Sequence, residues 1–212
     1  MTQEVNSKIC AAMQNLERRG LNTGTAGNIS ARCSQDIFIT PSGLLPGDIV
    51  PSKIVTMSLS GTWQGDRRPS SEWQIHTEIY KAFPEIRAVI HVHSPYATAL
   101  SCHGKEVPAF HYMVAAIGGN SIRCAPYETF GTRRLSKVVL NALESRLACL
   151  MTNHGMMAIG VDIDKAFNTA LLVEDLCRQY VFSNIMGEPL LISEIEMRRV
   201  SEKFKLYGAQ DV

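Results

Sequence analysis

His91 and His93 stand two residues apart in RAVIHVHS, and His154 follows far downstream in LMTNHG. If residues 87–93 form a strand, side chains alternate between its faces and both imidazoles of the pair point the same way. A third imidazole brought alongside would complete a three-nitrogen set with one position left for substrate, the arrangement that catalytic zinc uses. Taken alone, the pair fits a surface or satisfied core role equally well. His154 tips the reading toward a metal, because a ring in a tight turn before glycine is easily aimed and adds little to a core. Of the other histidines, His76 reads as facing a helix packing surface and His103 as an exposed loop residue. His111, beside Tyr112, is left open.

A second element is RRPSSEWQIH, residues 67–76. Ser71 followed by Gln74 has the spacing of a capping box, which puts a helix start here and Glu72 in its first turn. The helix dipole favours an acidic residue at that place. The functional reading has Ser70 and Ser71 holding a phosphate with nearby amides while Glu72 turns toward the metal. A third element is LNTGTAGNISAR, residues 21–32, with TPSG at 40–43. Gly24 and Gly27 let backbone amides approach an anion, and Thr25, Asn28 and Ser42 supply polar side chains. Neither stretch is a nucleotide fingerprint: G-x-x-x-x-G-K-[ST] is missing, and no G-x-G-x-x-G lies between strand and helix. Together with the paired serines they suit one small phosphate.

These residues need a scaffold. The chain has 212 residues, 45% hydrophobic and 19% charged, which suits one sizeable core and argues against disorder. A net charge of +1 gives no electrostatic reason to propose nucleic acid or an anionic membrane as partner. MTQEVNSKIC lacks the apolar core of a signal peptide, and no stretch approaches the roughly 18 apolar residues that span a bilayer. Six scattered cysteines without a C-x-x-C pair read as free thiols in a reduced, cytoplasmic protein. No repeat or linker divides the chain, so residues 1–212 read as a single domain.

Val5, Ile9, Ala12, Met13 and Leu16 share one face of a helix over 3–19, which Gly20 stops. NISARC and DIFIT read as a hairpin, and 54–58 as a further strand. Residues 71–83 look helical, 87–93 form the histidine strand, and Ser94-Pro95 supplies a cap hydroxyl and a first-turn proline for the next helix. Residues 121–126 read as a strand and 132–145 as a helix, with two short strands across 147–159 around Asn153-His154-Gly155. Helices over 164–186 and 193–206 close the chain. Several connections are too short for parallel crossovers, so the expected fold is an α/β sheet with antiparallel or mixed pairing, flanked by helices.

Read in order, GLNTGTAGN, SSEW, HVH, HYMVAAIGG, CAPYETFGT, NHG and EKFKLYG resemble the class II aldolase/adducin family, most nearly its L-fuculose-1-phosphate aldolase group. The resemblance covers nearly the whole chain. It implies a single-domain, three-layer α/β/α fold whose mixed central sheet is largely antiparallel, with helices on both sides. It implies one zinc ion per subunit on His91, His93 and His154, with Mn2+ or Co2+ as substitutes. Glu72 would ligate the free ion and then swing away to act as acid and base. Phosphate would be held at Gly27, Asn28, Ser42, Gly43, Ser70 and Ser71. Tyr112 would handle a proton on the aldehyde half, which Phe130 and Tyr207 would line. Ser42 stands where the group often has threonine, which keeps the hydroxyl. Relatives place the site where subunits meet in cyclic homotetramers.

The activity so implied is reversible cleavage of a ketose 1-phosphate, such as L-fuculose 1-phosphate or a 5-deoxyribulose 1-phosphate-type sugar, to dihydroxyacetone phosphate and an aldehyde. The charge left beside the C2 carbonyl would form an enediolate stabilised by the ion as Lewis acid. No lysine falls within SSEW, HVH or NHG to form a Schiff base instead. A 5-(methylthio)ribulose-1-phosphate aldolase of nucleoside salvage is one alternative. The 4-epimerase branch is another, though it typically carries aspartate where this chain has Glu72 and an acidic group in place of Tyr112. A decarboxylase or dehydratase of a sugar phosphate would use the same metal site. A non-catalytic adducin-like module is disfavoured, because such domains have generally lost the metal ligands.

Overall fold

The structure is a computed structural model and describes residues 2–206, with side chains through Phe204. Helix α1 (Thr2–Arg18) precedes the hairpin β1 (Asn28–Cys33) and β2 (Asp36–Ile39), then β3 (Val55–Ser58). Next come α2 (Trp73–Ala82), β4 (Ala88–Val92) and α3 (Pro95–Ser101). After a short 3-10 helix at Tyr112–Ile117 follow β5 (Cys124–Ala125), α4 (Arg133–Leu143), β6 (Ala148–Met151), β7 (Gly155–Gly160), α5 (Ile163–Ile185) and α6 (Glu194–Leu206). Seven strands form one sheet in the order β3-β2-β1-β4-β7-β6-β5. Every neighbouring pair is antiparallel except β5 with β6, so the expected mixed, largely antiparallel sheet is what the chain forms.

Strand alternation divides the core between the two faces of this sheet. Ile29, Ile90, Val92, Leu150, Met156 and Ala158 pack with α1, α3 and α5 on one side. Val89, Cys149, Met157 and Ile159 pack with Ile75, Ile79 and Tyr80 of α2 and with α4 on the other. The two-sided cover explains why β4 is buried at all five positions rather than alternating. Residues directly opposite in an antiparallel pair share a face. Asn28 pairs with His91 and Ser30 with Val89, which puts Asn28, Ser30 and His91 together under α2.

Two helix starts differ from expectation. Ser71 makes no capping bond to Gln74: α2 begins at Trp73, Glu72 is its N-cap residue, and its side chain does not cap. The carboxylate of Glu72 is engaged with histidines instead, and the Oγ of Ser70 accepts from the Glu72 amide at 3.3 Å. Ser94 does precede Pro95 at the start of α3, but its hydroxyl is not the cap. Glu174 of α5 accepts from the amides of Tyr96 and Ala97, both at 2.9 Å, and from Ser94 Oγ at 2.6 Å. A carboxylate has lone pairs for all three donors, where a hydroxyl would serve one amide. The strand expected over 121–126 shrinks to Cys124–Ala125.

Candidate active site

The histidines converge. The strand β4 delivers His91 and, one residue past its end, His93; the turn from β6 to β7 delivers His154. Asn153 holds that turn in the left-handed region at φ 56. Gly155 follows because a Cβ there would come within 2.5 Å of the Val92 carbonyl oxygen and 3.0 Å of the His93 ring. The three ring centroids lie 4.8–4.9 Å apart, and one ligand nitrogen from each ring falls within 4.8 Å of the other two.

Glu72 closes the group. Its Oε2 is 3.1 Å from His91 Nε2 and its Oε1 is 3.4 Å from His154 Nε2. Burial alone would raise its carboxyl, but the charges of His91 and His154 and hydrogen bonds from His91 and Asn28 hold it well below the usual carboxylate range. Burial would lower His91, yet the Glu72 charge, its hydrogen bond and the Met156 carbonyl raise it. Burial, helped by the neighbouring His91, pushes His93 and His154 down to about 4. Those two rings are therefore neutral, with lone pairs to offer, at ordinary pH.

A divalent cation fits these residues. His91 Nδ1 donates to the carbonyl of Met156 at 2.8 Å, which leaves Nε2 as its inward-facing nitrogen. That atom lies 2.9 Å from His93 Nε2, a separation that requires a shared proton or cation between two lone pairs. Oε1 of Glu72 is buried without a hydrogen-bond partner. Three imidazole nitrogens and one carboxylate oxygen are the donor types that bind zinc.

The histidines open onto a cleft of about 360 Å³. Gly27, Asn28, Ser42, Gly43, Ser70, Ser71, Glu72, His93, His154 and Phe130, all singled out from sequence, line it together, with His91 buried beneath. The serine wall is built by backbone pairing: Ser42 N donates to Arg68 O at 3.2 Å and Ser70 N to Thr40 O at 3.0 Å, which fastens loop 40–43 to loop 68–71. Gly27 (φ 74) is required where the other loop passes His91, because a Cβ would meet its carbonyl oxygen at 2.9 Å and Asn22 Oδ1 at 2.3 Å.

Tyr112 is not part of this cleft in its own chain. Half exposed, it stacks on Phe204 of α6 at 6.2 Å with the rings nearly parallel, on a separate surface with Met113 and Val200. Tyr207 lies outside the described residues. Tyr127, Glu128 and Asn153 line the cleft without having been singled out as contributing to it. His76, read as a packing residue, is fully buried but bonds to Ser30 and Asn28 rather than to the apolar core alone. Its pairing with Asn28 arises because β1 and α2 lie side by side.

A mixed sheet carrying a three-histidine, one-glutamate centre beside a hydroxyl-rich cleft is the framework of a metal-dependent lyase. Residues 7–181 match the Class II Aldolase and Adducin N-terminal domain, and the chain belongs to that family as one of its aldolases. It is 49% identical over 189 residues to a 5-methylthioribulose-1-phosphate/5-deoxyribulose-1-phosphate aldolase of Rhodospirillum rubrum, covering 89% of this chain and 86% of the relative. To the L-fuculose phosphate aldolase of Escherichia coli K12 it is 43% identical over 194 residues, 91% and 90% of the two chains. A solved L-fuculose 1-phosphate aldolase superposes with a TM-score of 0.92 at 38% identity, covering 95% of this chain and 96% of that one. Class II aldolases are metal-dependent, and among the described residues His91, His93 and His154 form a group that could hold the ion. Among the described residues no helix is long and apolar enough to cross a membrane.

Proposed function

We propose that this chain is a zinc-dependent aldolase that reversibly cleaves a ketose 1-phosphate to dihydroxyacetone phosphate and an aldehyde. One observation carries the reading: Glu72, His93 and His154, with His91 buried beneath, share one cleft with the serine and glycine loops. The names of the relatives support sugar 1-phosphates as the substrate class, with 5-deoxyribulose 1-phosphate, its methylthio analogue and L-fuculose 1-phosphate as the candidates. A cation on His91, His93 and His154 would supply Lewis-acid stabilisation of the negative charge that bond cleavage leaves beside the ketose carbonyl.

The chain's own residues do the rest. Ser42, Ser70 and Ser71 present hydroxyls to the phosphate, and Gly27 and Gly43 allow the loops to approach it. Asn28 spends one amide hydrogen on Glu72 at 3.1 Å and has a second for the substrate. Glu72 takes the proton from the carbon of dihydroxyacetone phosphate that forms the new bond, and returns it after cleavage. Fixing the phosphate aligns that carbon with Glu72, which turns binding into orientation. Phe130, exposed at the rim, packs against the apolar end of the aldehyde. Tyr112 exchanges a proton with the C4 oxygen from a neighbouring copy, and Tyr207 is assigned with Phe130 to the aldehyde half, in a cytoplasmic homotetramer. Residues 1–212 act as one catalytic domain.

The test is to incubate zinc-loaded protein with the three ketose phosphates and assay free dihydroxyacetone phosphate. Release from at least one, lost together with bound metal in His93→Ala, is expected. An isomeric pentose phosphate without free dihydroxyacetone phosphate would replace the aldolase reading with an epimerase. Glu72→Gln should stop proton exchange into dihydroxyacetone phosphate while phosphate binding persists; exchange at the normal rate would remove Glu72 as the base.

A further inference from the structure

Behind Glu72 and Asn28 lie three buried polar groups, Tyr80, Ser30 and His76, that the proposed reaction does not use. Tyr80 Oη lies 2.8 Å from Ser30 Oγ, Ser30 Oγ 2.7 Å from His76 Nδ1, and His76 Nε2 2.5 Å from Asn28 Oδ1. Asn28 Nδ2 then donates to Glu72 Oε2 at 3.1 Å. All five residues are buried, Ser30 and His76 completely.

With His76 neutral and the Asn28 amide nitrogen on the Glu72 carboxylate, the donors follow. The amide oxygen of Asn28 only accepts, so His76 must carry its proton on Nε2. His76 Nδ1 then has a lone pair, and Ser30 must donate to it. With the single Ser30 hydrogen so used, Tyr80 must donate to Ser30. Every bond runs toward Glu72 and ends on its carboxylate, an arrangement in which each bond polarises the next. The step that matters is at Asn28. The ionised carboxylate only accepts, so Asn28 must present its amide nitrogen there, and the His76 N–H on Oδ1 opposes the half-turn that would set a carbonyl oxygen against it.

We propose that His76 is a positioning residue: through the Asn28 amide it sets where the Glu72 carboxylate rests beside His91, the position from which that carboxylate moves to transfer its proton. The inference rests on reading Glu72 as the base. Burial also keeps His76 in its neutral form, pushed down to about 3, consistent with a fixed tautomer.

Two variants and one spectrum test this. His76→Leu removes the N–H donor; His76→Gln keeps one. In zinc-loaded protein, the Leu variant should lose roughly ten- to a hundredfold in kcat for proton exchange, the range for losing a supporting partner, with KM and zinc content little changed. The Gln variant should recover most of that loss. An active Leu variant, or equal losses in both, would overturn the proposal. Should the Leu variant fail to fold, imidazole ¹⁵N shifts of the native holoenzyme still decide: an Nε2–H tautomer for His76 is expected, and an Nδ1–H tautomer overturns the inference. Continued exchange by Glu72→Gln would instead remove the base assignment, whatever the His76 spectrum shows.

Discussion

The Nδ1–H of His91 donates to the carbonyl oxygen of Met156 at 2.8 Å, and this one bond aims Nε2 at Glu72. It links the metal-ligand strand to β7, the strand that starts at the His154 turn. The same bond decides which nitrogen must lose a proton when a cation arrives.

Metal binding should release protons near neutral pH. Without a cation, Glu72 raises His91 and favours its imidazolium; a metal ligand must be neutral. His93 and His154, near 4, are already neutral and contribute little. Affinity should therefore climb with pH until His91 is deprotonated, then level off. Titration calorimetry with zinc in buffers of different ionisation enthalpy reads the released protons. Heats independent of buffer would contradict the His91–Glu72 coupling.

Replacing Glu174 with alanine should destabilise the protein by about 1–2 kcal/mol, the loss of a strong helix cap. It should also weaken zinc binding, since Ser94 follows His93 directly and its hydroxyl is tied to Glu174. Urea unfolding and metal titration read the two effects. Glu174→Gln, which keeps an acceptor, should recover part of each.

Acid should destabilise the metal-free protein partly through His76. An unfolded histidine takes up its proton near 6.5, whereas buried His76 waits until about 3. Between those values the unfolded chain holds the extra proton, so stability falls with falling pH, by about 1.4 kcal/mol per unit for this one group. Comparing urea unfolding of wild type and His76→Leu at about pH 7 and about pH 5 isolates the contribution. The wild type should lose more stability on acidification than the variant.

Much of this site is written in short runs of sequence. His91 and His93 announce themselves because a strand's period puts them on one face, and His154 because Gly155 marks its turn. Ser70, Ser71 and Glu72 adjoin in the chain, so the loop that holds one holds all. What escaped depends on register between distant elements. His76 looks like a packing residue until Asn28 and Ser30 are set beneath α2, and Glu174 caps a helix more than seventy positions away in the chain, a pairing no local spacing signals. Tyr112 lies off the cleft of its own chain because the 3-10 helix that carries it packs against α6 instead.

Zinc-edge anomalous diffraction from crystals of the metal-loaded protein tests the central claim most directly. One strong peak is expected among the Nε2 atoms of His91, His93 and His154, at about 2.0–2.1 Å from each. A catalytically active crystal form with its anomalous peak elsewhere, or with none, would contradict the account.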